Sequence, residues 1–286
     1  MNHTIRIKIL VENTAHGHGI LAEHGISFWI DTGSRHLLFD TGQGLANVLI
    51  NNAERLQVRF DPIDAIVLSH GHYDHTGGLR NLLAAVREPE IYLHPSALQP
   101  KYAPDDDGTS RSIGIPGLDE KTIRRQVKRL VWTDQPTEIF EGIYATGEIP
   151  RDTEFEDTGG PFYLDKELRN PDPLLDDQAI FFESSQGTVV LIGCAHSGII
   201  NTLQYIKRLT CDRPIHAVIG GMHLVSASRE RVSRTIDALR RLKVERLCPG
   251  HCTGPAATVE LWSAFPGQCF PCRVGADFTF TVGKSG

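Results

Sequence analysis

The sequence predicts an α/β protein, and three observations support this fold class. Short apolar runs alternate with stretches of helical spacing, several of these runs end in turn residues, and four of them finish in a histidine. The 286 residues are 40% hydrophobic and 22% charged, which provides enough apolar material for a full core. We expect one domain over residues 1–286, with long loops near residues 95–121 and 150–177.

The predicted strands begin near the N-terminus. In TIRIKILVE, every second residue of Ile5–Val11 is apolar, which predicts a half-buried strand near a sheet edge. The runs ISFWIDTG and HLLFDTGQG meet at Gly33 and Ser34 and predict a hairpin. Six further strands are predicted from DAIVLSH, EIYLHP, QAIFFES, GTVVLIGCAH, IHAVIGG and VERLCPGHC.

Helical spacing appears between several of these strands. The predicted helices are GLRNLLAAV, GIINTLQYIKRL and SRERVSRTIDALRRL, and the last places Val232, Ile236 and Leu239 on one face. Two stretches dense in proline, glycine and aspartate interrupt the order and predict the long loops. Within these loops, Lys101, Arg111 and Lys166 are interpreted either as a cationic lid for a phosphate-bearing substrate or as solvated surface charge.

The composition argues against several classes of partner. The formal net charge of −6 lacks the lysine and arginine excess that nucleic acids and anionic membranes require. The N-terminus does not have a basic start followed by an apolar segment, and no run approaches the ~18 apolar residues of a membrane span. We therefore expect a cytoplasmic protein with reduced cysteines and with neither nucleic acid nor membrane as a partner. The sequence leaves the oligomeric state open.

Histidines and one aspartate collect at the ends of four predicted strands. In open α/β sheets the carboxyl ends of strands face the crevice where ligands bind, so we expect these side chains to converge. Neutral imidazole and carboxylate are both zinc ligands. The pattern therefore predicts a dinuclear metal site. The candidate ligands are His70, His72, Asp74, His75, His196 and His251.

Several motifs resemble those of a known family. SHGHYDHTGG resembles the HxHxDH signature of the metallo-β-lactamase superfamily, and LLFDTGQG resembles its early strand and aspartate turn. GCAHSGIIN, GGMHL, PGHCTG and AEHGISFWID resemble a narrower branch, named for 7,8-dihydropterin-6-methyl-4-(β-D-ribofuranosyl)aminobenzene-5′-phosphate synthase. The resemblance covers nearly the whole chain and implies an αββα four-layer sandwich of metallo-β-lactamase type, with the dinuclear site along one edge of its two sheets.

The resemblance also implies roles for individual residues. His70 and His72 would hold the first metal, and Asp74, His75 and His251 would hold the second. Asp40 would orient the metal-binding loop from outside the ligand set.

Two positions depart from the superfamily pattern. ATGEIPR places Glu148 where most members have a third histidine, so either Glu148 or His196 fills that position. IGCAH stands where a bridging aspartate is usual, so Cys194 or His196 replaces it. His223 is interpreted either as a ligand or as a residue that supports one. By the same resemblance, His72 rather than a glutamate in the second place of the motif favours zinc over the di-iron oxygen-reducing branch. We expect two zinc ions per chain, with iron or manganese as alternatives.

The spacing of four cysteines raises a separate question. Cys248, Cys252, Cys269 and Cys272 read as CxxxC and then CxxC, which would suit a structural zinc site. His251, inside the first pair, is already assigned to the dinuclear site. We therefore favour unligated buried thiols over a structural metal.

The predicted function is metal-dependent hydrolysis. Zinc lowers the pKa of bound water from 15.7 to about 7, so metal-bound hydroxide would attack a small phosphoester, lactone or related electrophile. Asp74 and His223 are the predicted catalytic residues: Asp74 would orient the hydroxide and His223 would donate a hydrogen bond to the developing oxyanion. A small anionic substrate is expected because the metal ions are positively charged.

Two alternatives stay open at this point. The branch name implies a pterin-pathway synthase that acts on a phosphorylated ribosyl substrate. The absence of the bridging aspartate and the presence of Glu148 would instead suit a non-catalytic protein that binds a small ligand in a metal-dependent way.

Overall fold

Two sheets packed face to face, with helices on both outer surfaces, form the core of the protein. The structure is a computed structural model, and it describes residues 3–61, 63–140 and 142–283. The strands are β1 His3–Val11, β2 Ser27–Asp31, β3 His36–Phe39, β4 Ile63–Val67, β5 Glu90–Leu93, β6 Tyr102–Pro104, β7 Ser110–Ser112, β8 Arg129–Trp132, β9 Thr137–Phe140, β10 Ile143–Ala145, β11 Ala179–Ser184, β12 Gly187–Ile192, β13 Ile215–Gly221, β14 Arg246–Gly250 and β15 Asp277–Val282.

The helices are shorter and lie between the strands. They are α1 Val48–Arg55, α2 Tyr73–Thr76, α3 Leu79–Ala85, α4 Glu120–Arg124, α5 Ile199–Leu209, α6 Arg229–Arg241 and α7 Pro255–Ala264. Three short 3₁₀ turns cover Leu45–Asn47, Pro95–Leu98 and His251–Thr253. Among the described residues, no helix has the length and apolar character needed to cross a membrane.

The order of the strands explains the apolar patterns. The first sheet has the order β15-β1-β2-β3-β4-β5-β8 and the second has the order β14-β13-β12-β11-β10-β9. Strand β1 lies next to the edge strand, and β2 and β3 form the predicted hairpin. Strands β12, β13 and β14 are parallel, and β12 and β13 are buried along their whole length. Such continuous apolar runs are typical of parallel strands that are covered on both faces.

Three apolar clusters fill the spaces between the four layers. Phe28 and Phe182 belong to the cluster between the two sheets. Leu203 of α5 and Leu239 of α6 pack on the outer face of the second sheet. Leu82 of α3 belongs to the cluster on the outer face of the first sheet. This arrangement confirms the α/β class and the αββα sandwich.

The histidines that follow the strands meet at one edge of the sandwich. The rings of His70 and His196 lie 4.7 Å apart between centroids, although they follow strands of different sheets. The centroids of His196 and His223 are 4.3 Å apart, and those of His75 and His251 are 5.0 Å apart. The expected convergence of strand ends is therefore observed.

The two long loops contact each other over this edge. Tyr102 and Tyr163 form an isolated bridge between them. Lys101 is fully buried between the loops, with Nζ 2.7 Å from Asp172 Oδ2 and 2.9 Å from Asp176 Oδ1. Asp176 Oδ2 in turn accepts a hydrogen bond from the amide of Gly71, inside the histidine motif. The lysine therefore ties both loops to the metal-binding turn.

This position shows that the lid interpretation of Lys101 is wrong. Two buried carboxylates neutralise its charge and no solvent reaches it, so it is not available to a substrate. Arg111 is exposed but pairs with Asp105. Lys166 is exposed.

We predict that Lys101→Met lowers the free energy of unfolding by about 3–5 kcal/mol, because it leaves two buried carboxylates without their counter-charge. Urea unfolding of the purified protein measures the change. Lys166→Met, at an exposed position of the same loops, is the control and should change stability by less than about 0.5 kcal/mol. Equal stability losses in the two variants would contradict the role given to Lys101.

Candidate metal centre

Two glycines shape the turn that carries the histidine motif, residues 70–75. A Cβ at Gly77 would lie 2.0 Å from the carbonyl oxygen of Gln43, and one at Gly78 would lie 2.3 Å from that of Thr41. Both glycines have ordinary negative φ angles, −65° and −76°. Glycine is needed here because another loop passes close by, and not because the backbone is left-handed.

Four buried side chains form the first group of donor atoms. They are Asp74, His75, Cys194 and His251, and their ligand atoms all lie within 4.8 Å of one another. His251 Nε2 is 3.3 Å from Asp74 Oδ2, and His75 Nε2 is 3.1 Å from Cys194 Sγ. Carboxylate, imidazole and thiolate are all zinc ligands, so this group has the composition of a metal site.

A second group of donors lies beside the first. It contains His70, Cys194 and His196, again within 4.8 Å of one another. His72 adjoins this group: its Nδ1 is 3.0 Å from His70 Nε2, and its ring centroid is 4.9 Å from that of His196. Cys194 belongs to both groups, so its sulfur would be available to a metal held by either of them.

Buried nitrogens without a hydrogen-bond partner indicate whether these residues fit a metal. His72 Nε2, His196 Nε2 and His251 Nε2 are buried without a hydrogen-bond partner. Each buried polar atom left unsatisfied costs about 1–3 kcal/mol. The nitrogens of His196 and His251 belong to donor groups that contain Cys194, and all three unpartnered nitrogens are explained if each provides a lone pair to a metal ion. The residues present therefore fit the metal that the donor set implies.

In three of the histidine rings, a hydrogen bond to the protein holds the other ring nitrogen, Nδ1. His75 Nδ1 donates to Asp40 Oδ2 (2.7 Å), His196 Nδ1 donates to the carbonyl of Thr158 (2.8 Å), and His251 Nδ1 donates to Asn13 Oδ1 (2.9 Å). A hydrogen bond at Nδ1 fixes the tautomer and leaves Nε2 free to bind a metal. Asp40 lies where the resemblance implied, outside the donor set and in contact with the metal-binding motif.

Burial and charge divide the histidines into two classes. Burial lowers the pKa of His72 from 6.5 to about 3, and it also lowers the pKa of His70 and His196. Burial opposes a charge on His75 as well, but the carboxylates of Asp74 and Asp40 outweigh it and raise its pKa to about 9. Before metal binds at pH 7, the first three rings are neutral and His75 carries a proton.

A third group surrounds the same cysteine. Cys194, His223 and Cys252 have their ligand atoms within 4.8 Å of one another. The backbone amide of His223 is 3.3 Å from Cys252 Sγ, and its buried Nδ1 has no partner. His223 therefore contacts the donor set from the side of His196. Cys252 was not among the predicted ligands of the dinuclear site.

Among the four cysteines considered as a structural zinc site, Cys248 and Cys272 contact each other. Cys248 and Cys272 belong to the cluster between the sheets, whereas Cys269 packs against the cluster under α5 and α6. Within the described residues, no metal-binding group combines three of the four. The interpretation of these cysteines as unligated thiols stays a prediction.

Glu148 lies outside the centre. Its side chain is exposed, and it belongs to none of the three donor groups found among the described residues. His196, the other candidate for the third-ligand position, lies beside His70 instead. The interpretation of Glu148 as a ligand is therefore not supported by its position.

Two residues near the centre were not predicted from their own pattern. His24 is half-exposed, and its Nε2 lies 3.2 Å from Asp74 Oδ2. Asn13 holds His251. The only signal for His24 was its presence in AEHGISFWID, and no local signal marked Asn13.

Comparison with known proteins places this geometry in a family. The profile of the metallo-beta-lactamase superfamily matches residues 23–251, which contain every residue of the first two donor groups. The chain belongs to the metallo-β-lactamase superfamily. The resemblance inferred from the motifs is thereby confirmed.

Individual members of the superfamily are similar over most of the chain. The 7,8-dihydropterin-6-methyl-4-(β-D-ribofuranosyl)-aminobenzene-5′-phosphate synthase of Methanocaldococcus jannaschii is 31% identical over 264 residues, covering 87% of this chain and 88% of the relative. The uncharacterized protein MJ0448 of the same organism is 34% identical over 258 residues, covering 89% and 93%. The crystal structure of Tm1679, a metal-dependent hydrolase of the β-lactamase superfamily, has a TM-score of 0.80 at 29% identity and covers 96% of this chain and 98% of Tm1679.

Removing the shared sulfur should affect both metal positions. We predict that Cys194→Ala lowers the zinc content from about two ions per chain to one or none, measured by mass spectrometry after dialysis. Cys248→Ala removes a buried thiol from the core between the sheets and is the matched control, and Glu148→Gln tests the exposed carboxylate. Both should retain about two ions. A Cys194→Ala protein that still holds two ions would contradict the shared position.

The pKa values predict how many protons zinc displaces. At pH 7 the side chains should release about two protons when zinc binds, one from His75 and one from the Cys194 thiol, whose pKa is raised by burial, in addition to any proton lost by bound water. His70, His72 and His196 should add no proton at pH 6, because burial lowers the pKa of all three rings, that of His72 to about 3. Calorimetry in buffers of different ionisation enthalpy measures this release. An increase of one proton or more between pH 7 and pH 6 would show that the histidines titrate as exposed ones do.

Proposed function

We propose that the protein is a dinuclear zinc enzyme that hydrolyses a small anionic phosphoester, lactone or related electrophile. The observation that carries this proposal is the pair of donor groups joined at Cys194. In this assignment His70, His72 and His196 would hold the first ion, and Asp74, His75 and His251 would hold the second. Mixed imidazole, thiolate and carboxylate donors suit zinc.

Zinc bound at these residues would lower the pKa of water to about 7 and polarise a carbonyl or phosphoryl oxygen. The chain's own residues orient the reactants. Asp74 Oδ2 lies close to both His24 and His251 and is placed to accept a hydrogen bond from the attacking nucleophile. His223 stands at the edge of the donor set, where its imidazole would donate a hydrogen bond to a developing oxyanion.

Phe162 contributes to the exclusion of water. Its ring centroid is 5.0 Å from that of His72, 5.2 Å from that of His196 and 6.2 Å from that of His223. This phenylalanine comes from the second long loop and lies beside these three histidines. Charge interactions in the centre are stronger where such a ring displaces solvent.

A second candidate function has its own support. The relative from Methanocaldococcus jannaschii is a synthase by name, and its product carries a 5′-phosphate. The same donor set would serve a pterin-pathway synthase acting on a phosphorylated ribosyl substrate, with zinc as the Lewis acid. Both candidates are metal-dependent enzymes with an anionic substrate, and they differ in whether water is the nucleophile.

The zinc-loaded protein tests these candidates. We predict that it hydrolyses at least one of a phosphodiester, a lactone and a thioester, and that His223→Gln lowers kcat by about 10²–10³-fold while zinc content is unchanged. Glu148→Gln, at an exposed position outside the donor groups, is the control and should keep the wild-type kcat.

Two outcomes would count against hydrolysis. If the wild-type protein hydrolyses every substrate of the panel no faster than His223→Gln does, the proposed hydrolysis is contradicted. Product formation from a pterin and a phosphorylated ribosyl compound, without hydrolysis, would favour the synthase.

A further inference from the structure

One buried thiol beside the metal centre has no part in the proposed chemistry. Cys252 lies in the short 3₁₀ turn His251–Thr253, directly after β14. Its sulfur forms the third group of donor atoms together with Cys194 and His223. A third divalent ion in this group would lie next to the two ions already proposed, and their like charges would repel. The sulfur of Cys252 therefore needs an explanation other than a third metal position.

The sulfurs of Cys194 and Cys252 contact each other. They lie within 4.8 Å, and the Cys194 thiol hydrogen-bonds to the Cys252 sulfur. Cys252 Sγ is also 3.5 Å from the carbonyl oxygen of Cys194. The backbone amide of His223 donates to Cys252 Sγ at 3.3 Å and holds this sulfur in place. Two thiols in such contact form a disulfide when small movements bring their sulfurs to about 2.0 Å.

The fold brings these two cysteines together across a strand. Cys194 follows β12 and Cys252 follows β14, and β13 lies between these strands in the second sheet. Strand β13 ends at Gly221, where a Cβ would lie 2.5 Å from Cys252 Sγ and 3.4 Å from Cys194 Cα. Because glycine has no side chain, the Cys252 sulfur occupies this space. A glycine at the end of the middle strand therefore permits the contact between the two sulfurs.

A second pair of thiols provides a comparison. Cys248 and Cys272 also contact each other, but they belong to the apolar cluster between the two sheets. Neither is part of the donor groups found among the described residues. A bond between them would leave every donor atom in place, whereas a bond to Cys194 would use the sulfur that the donor groups share. Of the two pairs, Cys194 and Cys252 are therefore the pair that couples oxidation to metal binding.

We propose that Cys194 and Cys252 are a modification site, at which a peroxide forms a disulfide that releases metal from the centre. The Cys252 sulfur, 8% exposed against 2% for Cys194, attacks one oxygen of hydrogen peroxide. The O–O bond breaks, Cys252 becomes a sulfenic acid, and the thiol proton leaves with the other oxygen as water.

The second step closes the disulfide. The Cys194 sulfur attacks Cys252 Sγ, the S–S bond forms, the S–O bond breaks, and the second oxygen leaves as water. Together the two thiols lose two protons and two electrons, and the peroxide is reduced to two waters. When Cys194 starts as a metal-bound thiolate, it has no proton to give, and the second oxygen leaves as hydroxide.

The disulfide acts on metal binding through the shared sulfur. Cys194 Sγ is 3.1 Å from His75 Nε2 and lies within 4.8 Å of the other donor atoms of both groups. The thiolate is the form of cysteine that binds zinc, and a disulfide sulfur carries no such charge. Both groups therefore lose a donor when the disulfide forms. This consequence rests on the proposed function, whereas formation of the disulfide does not.

The test treats the zinc-loaded protein with hydrogen peroxide and without reductant. Peptide mapping by mass spectrometry, after free thiols are blocked, identifies the cross-link, and a zinc-sensitive dye measures metal release. We expect a linked pair of peptides that contain Cys194 and Cys252, and a fall from about two zinc ions per chain to one or none. Dithiothreitol and zinc should restore the starting state, because thiols reduce disulfides but not sulfinic or sulfonic acids.

Two variants separate the disulfide from other effects of peroxide. Cys252→Ser keeps the size of the side chain and cannot form the bond. It should hold about two zinc ions in reductant and release them at least about tenfold more slowly than wild type in peroxide. Cys272→Ser breaks the other pair of thiols and is the matched control, so it should release zinc at the wild-type rate. Zinc content in reductant shows that both variants are folded.

Each outcome decides the proposal. It is overturned if no cross-link joins Cys194 and Cys252, if Cys252→Ser releases zinc at the wild-type rate, or if Cys272→Ser slows the release equally. Loss of zinc from Cys252→Ser in reductant would show that this sulfur is itself a ligand, and this too would overturn it. If the protein binds no zinc but the cross-link still forms, the modification site stands and the proposed zinc enzyme does not.

Discussion

The order of the metal centre depends on the hydrogen bonds to one buried carboxylate, that of Asp40. Its Oδ1 accepts from the backbone amide of Ser69, and its Oδ2 accepts from the Ser69 hydroxyl and from His75 Nδ1, each at 2.7 Å. The Ser69 oxygen also lies 2.9 Å from His70 Nδ1, so one carboxylate fixes a ring in each donor group. A fully buried carboxylate without such partners would be strongly destabilising. The cost of burying it therefore favours one arrangement of the motif.

Backbone strain is concentrated around the same centre. Asp40, Ala195, His223 and His251 all have left-handed φ angles, between 44° and 62°, although none is glycine. Each such residue costs on the order of 1–2 kcal/mol. All four stand just after strands, where a left-handed residue turns the chain and its side chains sharply toward the edge of the sandwich. The packed sheets beneath them provide the stability that keeps these conformations populated.

The sequence predicts the parts of this arrangement that have a local cause. Apolar periodicity marks β1, the β2–β3 hairpin and the strands that end in histidines, because each pattern reports which face of its own strand is buried. Which of His196 and Glu148 lies at the third-ligand position has no local cause in the sequence. It depends on how far the loop after β10 lies from His70. Lys101 shows the same limit: it pairs with Asp176, 75 positions later, and an isolated lysine in a polar loop gives no sign of burial. The positions of Cys194 and Asn13 likewise depend on contacts between distant parts of the chain.

Hydrolysis and condensation need the same polarising ions, so the surrounding loops decide between them. A hydrolase admits one water beside the electrophile, whereas a synthase must keep water away until its second substrate arrives. In this protein the relevant surface is the second long loop, which places Phe162 over the histidines and Thr158 against His196. That loop is also tied to the metal-binding turn, because Asp176 contacts both Lys101 and the amide of Gly71. Any shift of the loop therefore changes water access and the position of the turn together, and this coupling links the choice of nucleophile to the geometry of the donor side chains.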